Sequence, residues 1–282
     1  MQHTIGEIVE IKGVGLHSGV DSVLKIEPAE ENTGIIFKRS DIDGAVSLKA
    51  LFTNVVDTRN CTCLGSDTKN IVSTIEHLMS ALYVLGIDNA MISINNPEVP
   101  ILDGSGKVFY EAIKKAGKVK QNSKRKYLKV KKEVVFEDGK GASVSLLPAD
   151  TFYVNFNIEF PSKIVGKQTF EGEITEDVYV DKIALCRTFC EKYQVDYLKS
   201  VGLIKGGSLD NAVVLDGETI LNPEGFRVQN ECVNHKVMDT IGDLYTSGYY
   251  ILAKVVANKS GHYHNNEVLK KLFASADNYE LI

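Results

Sequence analysis

The residues best suited to chemistry lie in four short segments. In the run Asn234 to Asp243, His235 and Asp239 stand four apart and Asp243 follows four later. On a helix that spacing stacks all three on one face, since residues i and i+4 lie one above another. An imidazole and a carboxylate so placed can grip one divalent cation from a rigid support. The same pattern also suits a solvated polar face with an ordinary ion pair, so it does not decide alone.

Ser73-Thr74-Ile75-Glu76-His77 offers a further imidazole and a carboxylate beside it. His77 can complete a metal set and Glu76 can serve a nearby water as general base. Against this, Ser73-x-x-Glu76 is also a capping-box pattern that would tie Glu76 to the Ser73 amide. Lys259-Ser260-Gly261-His262-Tyr263-His264 sits between a strand pattern and a helix pattern, so a histidine there can protonate a leaving amine or simply face solvent. Cys186-Arg187-Thr188-Phe189 carries a threonine hydroxyl at an expected helix end, able to donate to an oxyanion.

Other segments carry less. Gly13 to Gly19 fits neither a Walker loop nor a dinucleotide fingerprint and reads as a turn. Gly206-Gly207-Ser208 can present amides to a diphosphate, but a tight turn is the plainer reading. Cys61-x-Cys63 lacks a second Cys or His pair nearby, so it reads as two incidental thiols. The odd total of five cysteines argues against a disulfide framework.

The elements that position these groups follow from periodicity. Ile75, Leu78, Met79, Leu82 and Leu85 form one apolar stripe, predicting a helix over 73–85 that stops at Gly86. A strand is expected over 90–95 and a helix over 108–116. The polar, basic stretch 117–126 reads as a linker. Strands over 127–136, 142–147 and 153–158 follow, then a helical segment near 178–185. A long helix is expected over 231–245, with Val233, Val237, Ile241 and Leu244 as its apolar stripe, then a strand over 250–256 and a last helix over 266–274. Both halves contain a helix end, a glycine and then a strand, which suggests a duplicated unit. The expected class is therefore α+β: two similar sandwich units, each a sheet plus a helix layer, packed helix layer to helix layer. The first covers 1–120 and the second 125–282, with an insertion near 190–215 that has no counterpart in the first half.

The chain has 282 residues, 44 % hydrophobic and 24 % charged, enough to build packed cores. Its net charge of −5 disfavours a nucleic-acid partner. The basic run 118–132 reads as solvated linker and strand start, with a weak surface for anionic lipid as the lesser reading. No stretch is apolar enough to span a membrane, and the start of the chain lacks a secretory pattern. A cytoplasmic location is expected.

Taken together, GVGLHSG, NCTCL, STIEHLMSAL, VPILDGSG, RTF, GGS, LNPEGFR, NHKVMDTIGDL and KSGHYHNN, in that order and spread over nearly the whole chain, resemble the UDP-3-O-acyl-N-acetylglucosamine deacetylase family. The resemblance implies a zinc-dependent amide hydrolase that converts the acetamide of a UDP-linked acylated glucosamine to the free amine and acetate, the committed step of lipid A biosynthesis. It implies His77, His235 and Asp239 as ligands of Zn2+, Glu76 as general base and His262 as general acid. Thr188 would face the oxyanion with Phe189 as its aromatic neighbour, Asp243 would orient His262, and Lys236 would meet substrate oxygens. The apolar residues of the insertion, Val195, Tyr197, Leu198, Val201, Leu203 and Ile204, are suited to an acyl chain. A monomer with at most transient membrane-surface contact is expected. Two departures stand out: Asn234 replaces the arginine common before His235, and Tyr263-His264 replaces a small apolar pair, which brings in a second histidine; His262 is taken as the acid because it follows Ser260-Gly261.

Overall fold

The computed structural model describes residues 1–282. Its first half contains β1 (His3–Ile5), β2 (Val9–Val14), β3 (Asp21–Pro28), β4 (Ile35–Arg39), β5 (Leu48–Lys49), β6 (Val55–Asp57), β7 (Cys63–Gly65), β8 (Ile71–Val72), α1 (Glu76–Leu85), β9 (Ala90–Ile94), α2 (Lys107–Ala116) and β10 (Lys118–Lys120). Its second half contains β11 (Tyr127–Val130), β12 (Val134–Glu137), β13 (Ser143–Pro148), β14 (Phe152–Glu159), β15 (Lys167–Glu173), α3 (Glu176–Val178), β16 (Thr188–Glu191), α4 (Lys192–Ser200), β17 (Ala212–Asp216), β18 (Thr219–Ile220), α5 (Glu231–Tyr245), β19 (Tyr250–Asn258), α6 (His262–Phe273) and β20 (Tyr279–Leu281). A π-helical turn, Tyr179–Ile183, continues α3.

The two main sheets are built alike. In the first the strand order is β2-β3-β9-β4-β5. The strand after the helix, β9, is central, antiparallel to β3 and parallel to β4. In the second, β19 holds the same place, antiparallel to β13 and parallel to β14, with β12 and β15 outside them. Burial alternates along β14 and β19, as expected where one face of a sheet is covered. The molecule is accordingly an α+β fold of two similar units whose helix layers meet at α1 and α5. One apolar core of 26 buried residues lies under the first sheet and another of 30 under the second.

The expected stripe of α1 is buried throughout, from Ile75 and Leu78 at 0 % to Leu85 at 5 % exposure. Gly86 caps the helix in the left-handed region (φ 72°), and its N–H donates to the Leu82 and Tyr83 carbonyls. On α5, Val233, Val237, Ile241 and Leu244 face the second core while His235, Asp239 and Asp243 are buried on the side toward α1. Gly242 makes that approach feasible: a Cβ there would overlap the carbonyl oxygen of Glu76 at the start of α1.

Three expectations need correction. The stretch 117–126 is not a free linker. Its β10 pairs antiparallel with β1, Lys118 Nζ donates to the Leu85 carbonyl, and Arg125 donates to Gly86 O and both oxygens of Asp88 while its guanidinium lies 4.0 Å over the Tyr250 ring. These basic side chains answer the unpaired carbonyls and negative potential at the end of α1. The insertion is present as α4 and the small sheet β16-β17-β18, but the first half also carries a small three-stranded sheet, β6-β7-β8, before its long helix. Strands of two or three residues leave no readable period. Finally, the threonine of the RTF segment opens strand β16 and does not end a helix.

Candidate active site

Glu76 and His77 are the first two residues of α1 and are buried at 2 % and 3 % exposure. The capping box does not form: Ser73 Oγ donates to the Pro97 carbonyl, and Glu76 Oε2 accepts from the Thr62 N–H at 3.0 Å. The Glu76 carboxylate is thereby turned toward α5. There the His77 and His235 Nε2 atoms approach Asp239 Oδ1 at 3.5 and 3.4 Å, and one ligand atom from each residue lies within 4.8 Å of the others.

Two features of this cluster fit a divalent cation. Asp239 Oδ1 is buried with no hydrogen-bond partner. His235 Nδ1 is engaged by the Cys186 carbonyl at 3.0 Å, so Nδ1 carries the proton and the Nε2 lone pair points at the same place. Converging lone pairs buried together are costly unless a cation receives them. Electrostatics agree: burial, opposed by Asp239, takes the His235 pKa down to about 3, so the ring is neutral and its lone pair free. For Asp239, burial acts upward, but His235 and Lys236 outweigh it and hold the carboxyl well below the usual range.

Around the cluster a second set of groups is tied together. Asp243 Oδ2 bonds His262 Nδ1 at 2.8 Å and accepts from Asn265 at 2.9 Å, and its Oδ1 accepts from the Thr62 hydroxyl at 2.6 Å. Burial acts to lower the His262 pKa, yet Asp243, with help from Glu76, carries it up to about 9. Burial raises Glu76, against the pull of His262 and His77. His264 faces elsewhere: its Nδ1 accepts from the Gly261 N–H, and Nε2 lies 3.5 Å from Asp138. Lys236 Nζ donates to Asp239 Oδ2 at 2.7 Å and lies 5.9 Å from the Phe189 ring centre, and that ring meets His235 edge-on. Thr188 is fixed by its N–H to the Gly104 carbonyl, and its hydroxyl bonds nothing within the protein.

Of the nine residues singled out from the sequence, eight are joined by these contacts and mutual electrostatics, and Thr188 is tied to them only as the chain neighbour of Phe189. Two others were missed. Thr62 links Glu76 to Asp243, with no signal in the sequence beyond its place in NCTCL. His17 is half-buried, with both ring nitrogens shut off from solvent and unpartnered, close enough to Glu98 and His262 to feel their charge. Its loop is pinned by Glu98, which accepts from the His17 and Ser18 amides at 2.8 and 2.7 Å. The glycines beside it masked this histidine as part of a turn. The amides of Gly206, Gly207 and Ser208 are all used internally, on Leu16 O, Ile204 O and Asn211 Oδ1, which favours the turn over the diphosphate reading. Cys61 and Cys63 are buried free thiols, pushed up by burial, Cys63 to about 12, as incidental thiols would be.

A family model described as UDP-3-O-acyl N-acetylglycosamine deacetylase matches residues 2–274. Curated relatives named UDP-3-O-acyl-N-acetylglucosamine deacetylase align along the full length. That of a Nitratiruptor species is 43 % identical over 281 residues, covering 100 % of this chain and 93 % of the relative. That of Syntrophotalea carbinolica is 42 % identical over 281 residues, covering 100 % and 90 %. That of Shewanella violacea is 41 % identical over 283 residues, covering 100 % and 92 %.

Proposed function

The chain belongs to the UDP-3-O-acyl-N-acetylglucosamine deacetylase family, and from that premise we propose how its residues divide the work, with one Zn2+ ion held by His77, His235 and Asp239. The enzyme is an amide hydrolase: it converts the acetamide of UDP-3-O-acyl-N-acetylglucosamine to the amine and acetate, a step of lipid A biosynthesis. The observation that carries the assignment of roles is the buried convergence of two imidazole nitrogens on an unpartnered carboxylate oxygen, with a separate carboxylate, Glu76, alongside. When bound, the cation supplies Lewis acidity, polarising the acetamide carbonyl and acidifying a water.

The protein's own groups handle the protons. Glu76 has Oε2 committed to the Thr62 amide, which leaves Oε1 to take a proton from the attacking water. Its burial raises its basicity toward the working range. His262, held through Nδ1 by Asp243, keeps Nε2 for delivering a proton to the departing amine, which leaves poorly as an anion. The unengaged Thr188 hydroxyl donates to the developing oxyanion. Lys236 and Phe189 line the approach and meet substrate oxygens and a sugar or acyl surface. The acyl chain follows the segment of α4 and the loop after it, where Tyr197 and Val201 are exposed.

Residues 1–120 and 125–282 are the two units that this reading assigns, and the protein acts as a cytoplasmic monomer that touches the membrane surface only in passing. No helix is long and apolar enough to cross a membrane. The test is Glu76→Ala assayed for deacetylation of the UDP-linked substrate, with metal content measured in parallel. Turnover is expected to fall about a hundredfold or more, in the range of general-base loss. Near-wild-type turnover with the metal retained would remove Glu76 from the mechanism.

A further inference from the structure

The carboxylate of Glu231 is completely buried and has no part in the chemistry above. It accepts from the Arg187 N–H and Nε, both at 2.9 Å, and from the Arg227 N–H at 2.7 Å. Arg187, also at 0 % exposure, pairs further with Glu224 and donates to the Gly225 carbonyl at 2.7 Å. A buried ion pair is weak evidence for stability, because desolvating two charges offsets most of their attraction. Its geometry points to another task.

The Arg187 N–H and the Cys186 C=O belong to one planar peptide unit. Glu231 takes the N–H, and the C=O receives the Nδ1–H of His235 at 3.0 Å. Glu231 and His235 are i and i+4 on α5, on the same face, so one helical turn holds both edges of that peptide. A carboxylate accepting from a peptide N–H polarises the group and makes its carbonyl a stronger acceptor. The imidazole bonded to that carbonyl is then fixed in tautomer and made more basic at Nε2. His77 has no such support, for its Nδ1 is buried without a partner.

We propose that Glu231 is a positioning residue for the metal centre, acting on His235 through the Cys186–Arg187 peptide: a carboxylate–peptide–histidine relay. Arg187 pairs with Glu231 through Nε at 2.9 Å and belongs to the segment that leads into the strand presenting Thr188. This inference rests on His77, His235 and Asp239 being a metal site.

The test compares zinc affinity, by competition with a chromogenic chelator, in wild type, Glu231→Gln and Glu224→Gln. Glu224 touches the Arg187 guanidinium but not the peptide. Glu231→Gln is expected to bind Zn2+ about 10- to 100-fold more weakly, the usual cost of losing a ligand's outer partner, and to lower kcat with KM little changed. Glu224→Gln is expected to bind zinc as wild type does. Wild-type affinity in Glu231→Gln, or equal weakening in both variants, overturns the relay. Wild-type protein that takes up no zinc sinks the metal reading instead, a separate outcome. Should Glu231→Gln fail to fold, hydrogen exchange at the Arg187 amide of the wild type decides. Coupling between sites is reciprocal, so zinc must slow that exchange, by about tenfold or more, and unchanged protection overturns the proposal.

Discussion

In the first unit the long helix offers the site only its opening residues, Glu76 and His77. In the second, α5 offers three successive turns: His235, Asp239 and Asp243. The strands flanking β9 and β19 correspond, although the second sheet also carries β11 and β20, so the core topology does not account for the difference. It comes from how the helices meet. The N-terminus of α1 abuts the side of α5 at Gly242, so α1 can present only its first turn, while α5 runs past and presents a whole face. A duplicated fold thus yields an asymmetric candidate site: the His77–His235–Asp239 cluster and the proposed acid–base pair each draw on both halves.

The sharpest way to break this comparison is to remove the first unit's single ligand. His77→Ala should lose bound metal and about three orders of magnitude in kcat/KM, since Lewis-acid stabilisation is worth several kcal/mol and each ~1.4 kcal/mol is tenfold. Metal analysis beside the assay checks it, and full activity would mean that the second unit suffices alone. Next, Gly242→Ala changes none of the proposed catalytic side chains but puts a methyl where α1 passes. Turnover is expected to fall about a hundredfold from displacement of the order of 1 Å, with a stability loss of about 1–3 kcal/mol from overpacking. Unchanged kinetics would show that the approach is looser than drawn.

Asp243→Asn tests the second unit's share of proton handling. On the proposed division of roles, activity needs Glu76 deprotonated and His262 protonated. The pH profile of kcat/KM should therefore fall on the acid side through the raised Glu76 pKa and on the alkaline side near about 9. With the Asp243 charge gone, burial dominates and the alkaline limb should move to lower pH. An unmoved limb would detach Asp243 from His262. The smallest effect on the site is expected far from it. Arg125→Ala removes the clamp from the segment between β10 and β11 to the end of α1, costing about 2 kcal/mol of stability by thermal or urea melting, as for charged hydrogen bonds, with kcat/KM unchanged.

What could be read from the chain follows the reach of each interaction. Stripes at helical spacing gave α1 and α5 with their buried faces, because a helix repeats every ~3.6 residues whatever surrounds it. The i, i+4, i+8 row of His235, Asp239 and Asp243 was legible for the same reason. The small sheets and the β1–β10 pairing were not, since pairs of two or three residues depend on distant partners.

By itself, then, the sequence determined which groups were on hand and which of them shared a helical face, for both are local properties of backbone geometry. Tertiary structure alone decided that Glu76 turns from Ser73 toward α5, that Asp243 bonds His262 while His264 turns to Asp138, that Thr62 joins Glu76 to Asp243, and that His17 comes near His262. Those outcomes depend on how two separately folded layers pack, and the closeness of α1 to α5 rests on a side chain that Gly242 lacks.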